Sequence, residues 1–510
     1  MTHPIQKAST RVIINTIAQY SRSLISIVVA LYSTRLILQA LGQNDYGIYS
    51  LIAGVVAMLA FISNALVVTT QRFLSFHQSQ YSEEAMKKLW SNILTLHLLF
   101  SVLLIILMEC VGPLLFDGFL NISDDKISSA KYVYQCCIFM VTISFLSSPF
   151  LALLISHENI VYSSVIQVID SLLRLGIAVI ITYYGSYKLE LFVSLLCVVS
   201  LGDLISYGVY TYRKYPECIW PRICHFEKKV MRSISSFMVW QIYSTGCTVG
   251  RTQGCAVVLN KFFGTAINTS FGIAQQVSGA ISFVSGALLN AINPQIIKAE
   301  GRGMRQKMFE LAMTACKFSF FLLSMIALPL IVFMPEILEL WLGEVPVDSV
   351  LFCRVILLTS LCDQTTIGLG TANQAIGDVK KYALTINTIK IFTVVALAFM
   401  LYLSVPLKYA IWSYAVIELI CAVSRLPFLK ISGGLKIKLF CKNVFHPLFL
   451  PLVCSVILYS ILHYIGKDLI FVICGVLIIT IVYGVIFYRY SLTKDEVNIA
   501  DNILHKLHIK

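Results

Sequence analysis

Long apolar stretches recur along the whole chain, and they constrain its fold more than any other feature. A bilayer's hydrocarbon core takes roughly 20 residues of helix to cross. Backbone inside lipid must also satisfy its own hydrogen bonds, which a helix does. Read in windows of roughly 19 residues, the sequence gives about 14 such segments. They run over 12–41, 46–74, 89–115, 132–155, 160–184, 189–212, 234–262, 265–297, 308–334, 350–375, 382–403, 408–428, 444–465 and 469–488. Composition agrees, because 58% of the 510 residues are hydrophobic and only 13% are charged. A soluble domain is nearer half apolar and a quarter charged. The expected fold class is therefore all-α, a polytopic membrane protein. The first apolar stretch is too long for a cleavable signal peptide, carries arginines and lacks a small-residue cleavage site, so it reads as a retained span.

Loop charges set the orientation. Clusters at Lys7/Arg11, Arg72/Lys87/Lys88, the connector from Arg213 to Arg232, Lys298 to Lys307, Lys380/Lys381 and Arg425 to Lys442 all fall on one side of this arrangement, as does the tail. Basic loops are retained in the cytoplasm. The opposite side holds Asp117, Asp124 and Asp125 in one loop and Glu336, Glu339, Glu344 and Asp348 in another. Both termini are thus expected to be cytoplasmic. The formal net charge of +13 belongs to this asymmetry, and no basic-aromatic patch or nucleic-acid motif accompanies it.

An internal repeat organises the chain. Leu41-Gly42 and the later run from Phe61 to Leu66 match Phe263-Gly264 and the run from Phe283 to Leu288 without gaps. Six spans separate the copies, so both face the membrane the same way, about an axis along its normal. The expected division is an N-terminal lobe over 1–212, a basic connector over 213–233 and a C-terminal lobe over 234–430. A basic loop at 431–443, two further helices within 444–490 and a tail at 491–510 complete it.

Charged residues inside the spans are the functional candidates. A guanidinium at mid-membrane costs roughly 2.5 kcal/mol or more, so it normally faces a bundle interior or a water-filled cavity. Arg22 lies in the first span on a stripe with Asn15, Gln19, Ser26 and Ser33 at helical spacing. Arg35, nearer the end, reads equally well as snorkelling to a headgroup. The seventh span carries Arg251 beside Gln241, Thr245, Thr248 and Thr252, and the eighth carries Asn268, Gln275, Gln276, Asn290 and Asn293. Expected cavity residues are Arg22, Arg251, Asn15, Gln19, Gln241, Thr248, Gln275, Gln276 and Asn290. Asp170 and Arg174, four apart, share a helix face as an ion pair. Asp363 and Glu418 are candidates for ion coupling or pairing, and the long side chains of Lys317 and Lys390 are able to snorkel. Arg354 is a further charge within a span. Cations outnumber acids in the spans, which suits an anionic substrate, and arginine matches phosphate oxygens bidentately.

Enzyme chemistry is not signalled. The chain contains no P-loop, His-Glu-x-x-His or Gly-x-Ser-x-Gly motif, and its 15 cysteines form no Cys-x-x-Cys pair. No cofactor or metal is expected, and an ion gradient or the membrane potential is the expected driving force.

Three stretches resemble a known family. They are Leu41-Gly42-Gln43-Asn44-Asp45-Tyr46-Gly47-Ile48-Tyr49, Asn293-Pro294-Gln295-Ile296-Ile297-Lys298, and the run from Ala372 to Tyr382 (ANQAIGDVKKY). With the span number and loop signs, they make the chain similar to Wzx-type polysaccharide-unit flippases of the multidrug/oligosaccharidyl-lipid/polysaccharide (MOP) exporter superfamily. The resemblance implies two six-helix lobes in a V-shaped, MATE-like arrangement around a cavity, with the last two helices packed outside. It implies export of undecaprenyl-pyrophosphate-linked oligosaccharide across the bacterial inner membrane, with the polymerase machinery as a partner. Arginines in the first and seventh helices of related flippases line the cavity, matching Arg22 and Arg251. Lipid II flippases have an acid immediately after that first arginine, whereas this chain has Ser23, so lipid II is disfavoured as cargo. Two other readings stay open: a drug/cation antiporter of the same fold, and a membrane polysaccharide polymerase or ligase.

Overall fold

The computed structural model describes residues 4–57, 60–78, 82–114, 116, 126–183, 187–221, 226–342, 345–465, 469–493 and 496. Among them every regular element is helical. In order they are α1 (Pro4–Ala57), α2 (Ala60–His77), α3 (Glu83–Leu114), α4 (Ile127–Ser156), α5 (Ile160–Tyr183), α6 (Lys188–Lys214), α7 (Lys228–Gly301), α8 (Arg305–Val332), α9 (Met334–Leu342), α10 (Ser349–Gln364) and α11 (Ile367–Ile376). Then α12 (Val379–Tyr382) passes through a π-helical turn, Ala383–Asn387, into α13 (Thr388–Tyr402). They are followed by α14 (Leu407–Ala410), α15 (Trp412–Gly433), α16 (Ile437–Phe440), α17 (His446–Ile465) and α18 (Leu469–Tyr490).

Among the described residues nine helices are long and apolar enough to cross a membrane, or ten if the pair α10 and α11, bent by 43°, is one span. The stretches expected at 12–41, 46–74, 234–262 and 408–428 are helical too but lie outside that set. The first span and the start of the second share α1, broken where Gly42 takes φ 76°, and α2 carries the later part of the second. That left-handed conformation costs a residue with a Cβ far more than glycine. The acidic loop expected at Asp117, Asp124 and Asp125 falls outside the described residues, as do Arg222, Glu344 and most of the tail.

The chain forms two compact units, Ile14–Thr245 and Gly246–Lys510 with Met1–Ile13. In the first, α4 is the central helix and packs against α2, α3 and α6. His97, fully buried, knits three of these helices: Thr70 lies 2.9 Å from its Nε2, and Ser148 lies 2.9 Å from its Nδ1. Buried polar groups without partners are costly, so such a node fixes the register of the helices it joins. The turn after α4 is tied to the stretch after α6 by His157 Nε2 and Glu217 Oε1, 2.5 Å apart. Burial alone would raise the Glu217 pKa, but the hydrogen bond and charge of His157 outweigh it and hold the carboxyl below its usual range.

In the second unit α8 packs against α10, α11 and α17, and α15 packs against α10 and α13. At Gly368 of α11, an added Cβ would lie 2.3 Å from the Ala312 carbonyl oxygen of α8. Only glycine permits that approach, which seats the bent α10–α11 pair on α8. The terminal helices α17 and α18 pair with each other. Ser324 and Tyr483 (2.6 Å) and stacked Phe321 and Phe487 join α18 to α8. Both terminal segments, Ile437–Ile465 and Phe471–Tyr490, are long and apolar enough to span.

Candidate functional site

Each unit contains its own cluster of polar and charged side chains carried on helices. The stripe on α1 forms one side of the first. Asn15, Gln19, Ser23 and Ser33 are buried, whereas the apolar Ile14, Ile17, Leu24 and Val28 of the same helix are exposed. Asn15 Nδ2 donates to the Glu158 carbonyl at 2.8 Å, and Ser26 meets Ser171 of α5 at 2.9 Å. Arg22 donates to the Gln167 amide oxygen of α5 and to Ser23 Oγ at 3.2 Å. Its Nε is buried without a hydrogen-bond partner among the described residues. Gln167 also engages Tyr207 of α6. Two turns further along α5, Arg174 Nε lies 2.9 Å from both oxygens of Asp170, the i, i+4 pair expected from the sequence. Asp203 of α6 contacts Asp170. Arg22 is thus held by neutral amide and hydroxyl groups, with no carboxylate bonded to it among the described residues.

The second cluster is ionic. Arg251 of α7, Asp363 of α10, Lys390 of α13 and Glu418 and Arg425 of α15 converge. Glu418 and Arg425 are seven residues apart, two helical turns, and so share one face of α15. Glu418 pairs with Arg251 through Oε2, while its Oε1 lies 3.4 Å from Lys390 Nζ and 3.8 Å from Arg425 Nη2. Asp363 Oδ1 lies 2.6 Å from Arg425 Nη2 and 3.7 Å from Lys390 Nζ. The ring of Tyr414 lies under the Arg251 guanidinium, 4.7 Å from its centroid, a cation–π arrangement. Relative exposures are 0% for Glu418, 4% for Arg425, 8% for Lys390 and 9% for Arg251. Such burial is tolerable only for charges that meet opposite charges.

Local structure explains why the cluster forms where it does. The bend between α10 and α11 interrupts the helical hydrogen-bond ladder, freeing backbone groups that lipid cannot satisfy. Arg425 supplies donors there, from Nη1 to the Asp363 carbonyl at 3.4 Å and to Thr366 Oγ1 at 3.1 Å. Three cations face two acids, so the cluster carries at least one net positive charge whichever protonation state the acids adopt. A broken helix beside unbalanced charge is an arrangement that transporters use for substrate and ion sites.

Several charges expected to behave otherwise find partners in the fold. Lys390 does not snorkel; it is buried against Glu418 and Asp363. Lys317 does not snorkel either: it is 2% exposed and donates to the Ser491 carbonyl at 3.0 Å and to Glu496 at 2.5 Å. Arg425, read from the sequence as part of a basic loop, lies inside α15. Arg354 donates to the Ile331 and Val332 carbonyls at 2.9 and 3.3 Å, capping the end of α8. Of the other expected cavity residues, Gln241 and Thr248 are half-buried, Gln276 and Asn290 are exposed, and Gln275 is half-buried with Nε2 unpartnered among the described residues. The side chains of Arg35 and Asn268 lie outside the described set. The sequence reading missed Gln167, Asp203, Tyr207 and Tyr414. A polar residue at helical spacing on α5 and α6 was the available signal for the first three. At the end of α15, Lys430, Lys436, Lys438 and Lys442 line a groove of about 740 Å³.

With both clusters in view, the comparisons with known proteins decide the family. Residues 10–300, more than half of the chain, match the family described as polysaccharide biosynthesis protein. The chain belongs to that family. No curated protein matches it. Among solved structures, a MATE protein in complex with MaL6 superposes with a TM-score of 0.70 at 14% identity, covering 84% of this chain and 96% of that one. A multidrug resistance MATE transporter of the MOP superfamily, in an outward-facing conformation, gives 0.69 at 15% identity with the same coverage. A MOP-superfamily transporter from Pyrococcus furiosus, described as having a binding pocket of reversed polarity, gives 0.72 at 12% identity, again over 84% and 96% of the two chains. This member of the family therefore has the MATE-like fold of MOP-superfamily transporters and is a multi-pass membrane protein.

Proposed function

We propose that this protein is a Wzx-type flippase. It carries oligosaccharide repeat units linked through pyrophosphate to undecaprenol from the cytoplasmic to the periplasmic leaflet of the bacterial inner membrane, for surface polysaccharide assembly. Alternating access between two six-helix lobes moves the headgroup while the polyprenyl tail stays in lipid. Family membership supports a saccharide cargo, and buried positive charge supports a phosphate on it.

The observation that carries this reading is the buried Arg251–Lys390–Arg425 group, which outnumbers its partners Asp363 and Glu418 among the described residues. Burying an uncompensated cation in lipid is costly, and a phosphate-bearing cargo repays that cost during transport. A site for cationic drugs would carry the opposite sign.

The test is reconstitution of the full chain in liposomes with a fluorescent undecaprenyl-pyrophosphate oligosaccharide, following its movement between leaflets. Wild-type protein is expected to move it, and Arg22→Glu and Arg251→Glu to reduce the rate at least tenfold while remaining folded. Wild-type rates in both variants, or transport of an organic cation in place of the lipid, would refute the proposal.

A further inference from the structure

We propose that Glu418 is a resident counter-ion for Arg251, and that a phosphate group of the cargo takes its place. The inference rests on the reading above only for the identity of the cargo.

The three cations are not equally engaged. Arg425 is committed to structure, since its Nη atoms bind the Asp363 carboxylate, the Asp363 carbonyl and Thr366. Lys390 sits 3.4 and 3.7 Å from two carboxylates and bridges them. Arg251 has five N–H donors on a planar fork, yet one carboxylate oxygen and one aromatic face are its partners, and its Nε is buried with none among the described residues. It is also the most exposed of the three. Arg251 therefore has unused capacity for a bidentate oxyanion.

Glu418 is placed to give it up. Its Oε2 holds Arg251, while Oε1 is the atom nearer Lys390 and Arg425, and the carboxyl group also meets that of Asp363. When a phosphate takes Arg251, the carboxylate retains two cations within 4 Å. No buried charge is stranded, and stranding is what makes breaking a buried pair costly. The incoming negative charge also offsets the cluster's surplus positive one. On release the carboxylate returns to Arg251, so the site resets without leaving an arginine bare. Glu418 in this account is a positioning residue that limits affinity and speeds release.

The experiment is pyrophosphate binding to the purified full-length protein in nanodiscs, by calorimetry, with inorganic pyrophosphate as the probe. Glu418→Gln removes the competing charge and is expected to tighten binding about tenfold, within the usual range of coupling between two ligands. It is expected to slow lipid transport as release becomes limiting. Arg251→Gln is expected to abolish binding. Equal or weaker binding in a folded Glu418→Gln protein, or unchanged binding in Arg251→Gln, would overturn the exchange. Should Glu418→Gln not fold, Glu418→Asp keeps the charge but draws it back by one methylene; tighter binding supports the exchange and unchanged binding overturns it. Displacement of pyrophosphate by an equal concentration of phosphatidylglycerol would identify a bilayer lipid as the occupant and overturn the assignment to cargo. Binding that shifts as expected without transport of the lipid-linked oligosaccharide removes the flippase reading alone, whereas Arg251-dependent transport with no Glu418 effect on affinity removes the exchange alone.

Discussion

Arg22 and Arg251 both lie on polar helix faces, but the two units hold them differently. In Ile14–Thr245 the partners are Gln167 and Ser23, neutral groups that leave the arginine's charge uncompensated. In Gly246–Lys510 the partner is Glu418, itself shared with Lys390 and Arg425. An anion meeting Arg22 displaces a hydrogen bond worth little; one meeting Arg251 displaces a salt bridge. Under the proposed anionic cargo, the first arrangement favours capture, and the second couples binding to a rearrangement of charge.

The sharpest way to break this contrast is to remove an acid from each unit. Glu418→Ala leaves three buried cations facing Asp363 alone, and is expected to destabilise the protein by about 3–5 kcal/mol. A thermal melt in detergent measures it. Asp170→Ala removes one partner of Arg174, whose side chain is 42% exposed; solvent screening limits that loss to under about 1 kcal/mol. Equal losses in the two variants would erase the distinction between a buried network and a half-exposed pair.

Arg22→Gln tests the neutral side. Substituting one polar group for another there is expected to cost about 1 kcal/mol of stability, while headgroup transport falls at least tenfold. A large stability loss with transport preserved would make Arg22 a packing residue. Smaller still is the pH effect at Glu217. Its pKa is depressed in the fold, so the stabilisation is complete above the unfolded carboxyl value of about 4.3. It fades as pH falls through the lower folded value. The loss on acidification is about 1 kcal/mol. Comparing melts near neutrality with melts near pH 3, Glu217→Gln should lose less than wild type. An identical acid loss in the two would assign it to other carboxyls.

The sequence makes some of this legible. An arginine inside an apolar run is conspicuous, so Arg22 and Arg251 stand out without coordinates, and the i, i+4 spacing reveals Asp170–Arg174. What the sequence hides is partnership across distance. Glu418 lies 167 positions from Arg251, and nothing in its local pattern says which cation it meets. Lys390 looks like a snorkelling lysine because its two acids sit on other helices. Arg425 misleads for a different reason: it is near Lys430 and Lys436, so a charge-based reading assigns it to their loop, whereas the bend between α10 and α11 needs its donors. The helical class is written in the apolar runs, but breaks such as the one at Thr365 and Thr366 depend on tertiary partners.

The most direct test of the central claim, that the positive surplus around Arg251 handles a phosphate-bearing lipid, is a charge-reversal transport measurement. In proteoliposomes loaded with fluorescent undecaprenyl-pyrophosphate oligosaccharide, Arg251→Glu is expected to lose transport while retaining its monodisperse, helical state. Transport at the wild-type rate by that folded variant would contradict the account.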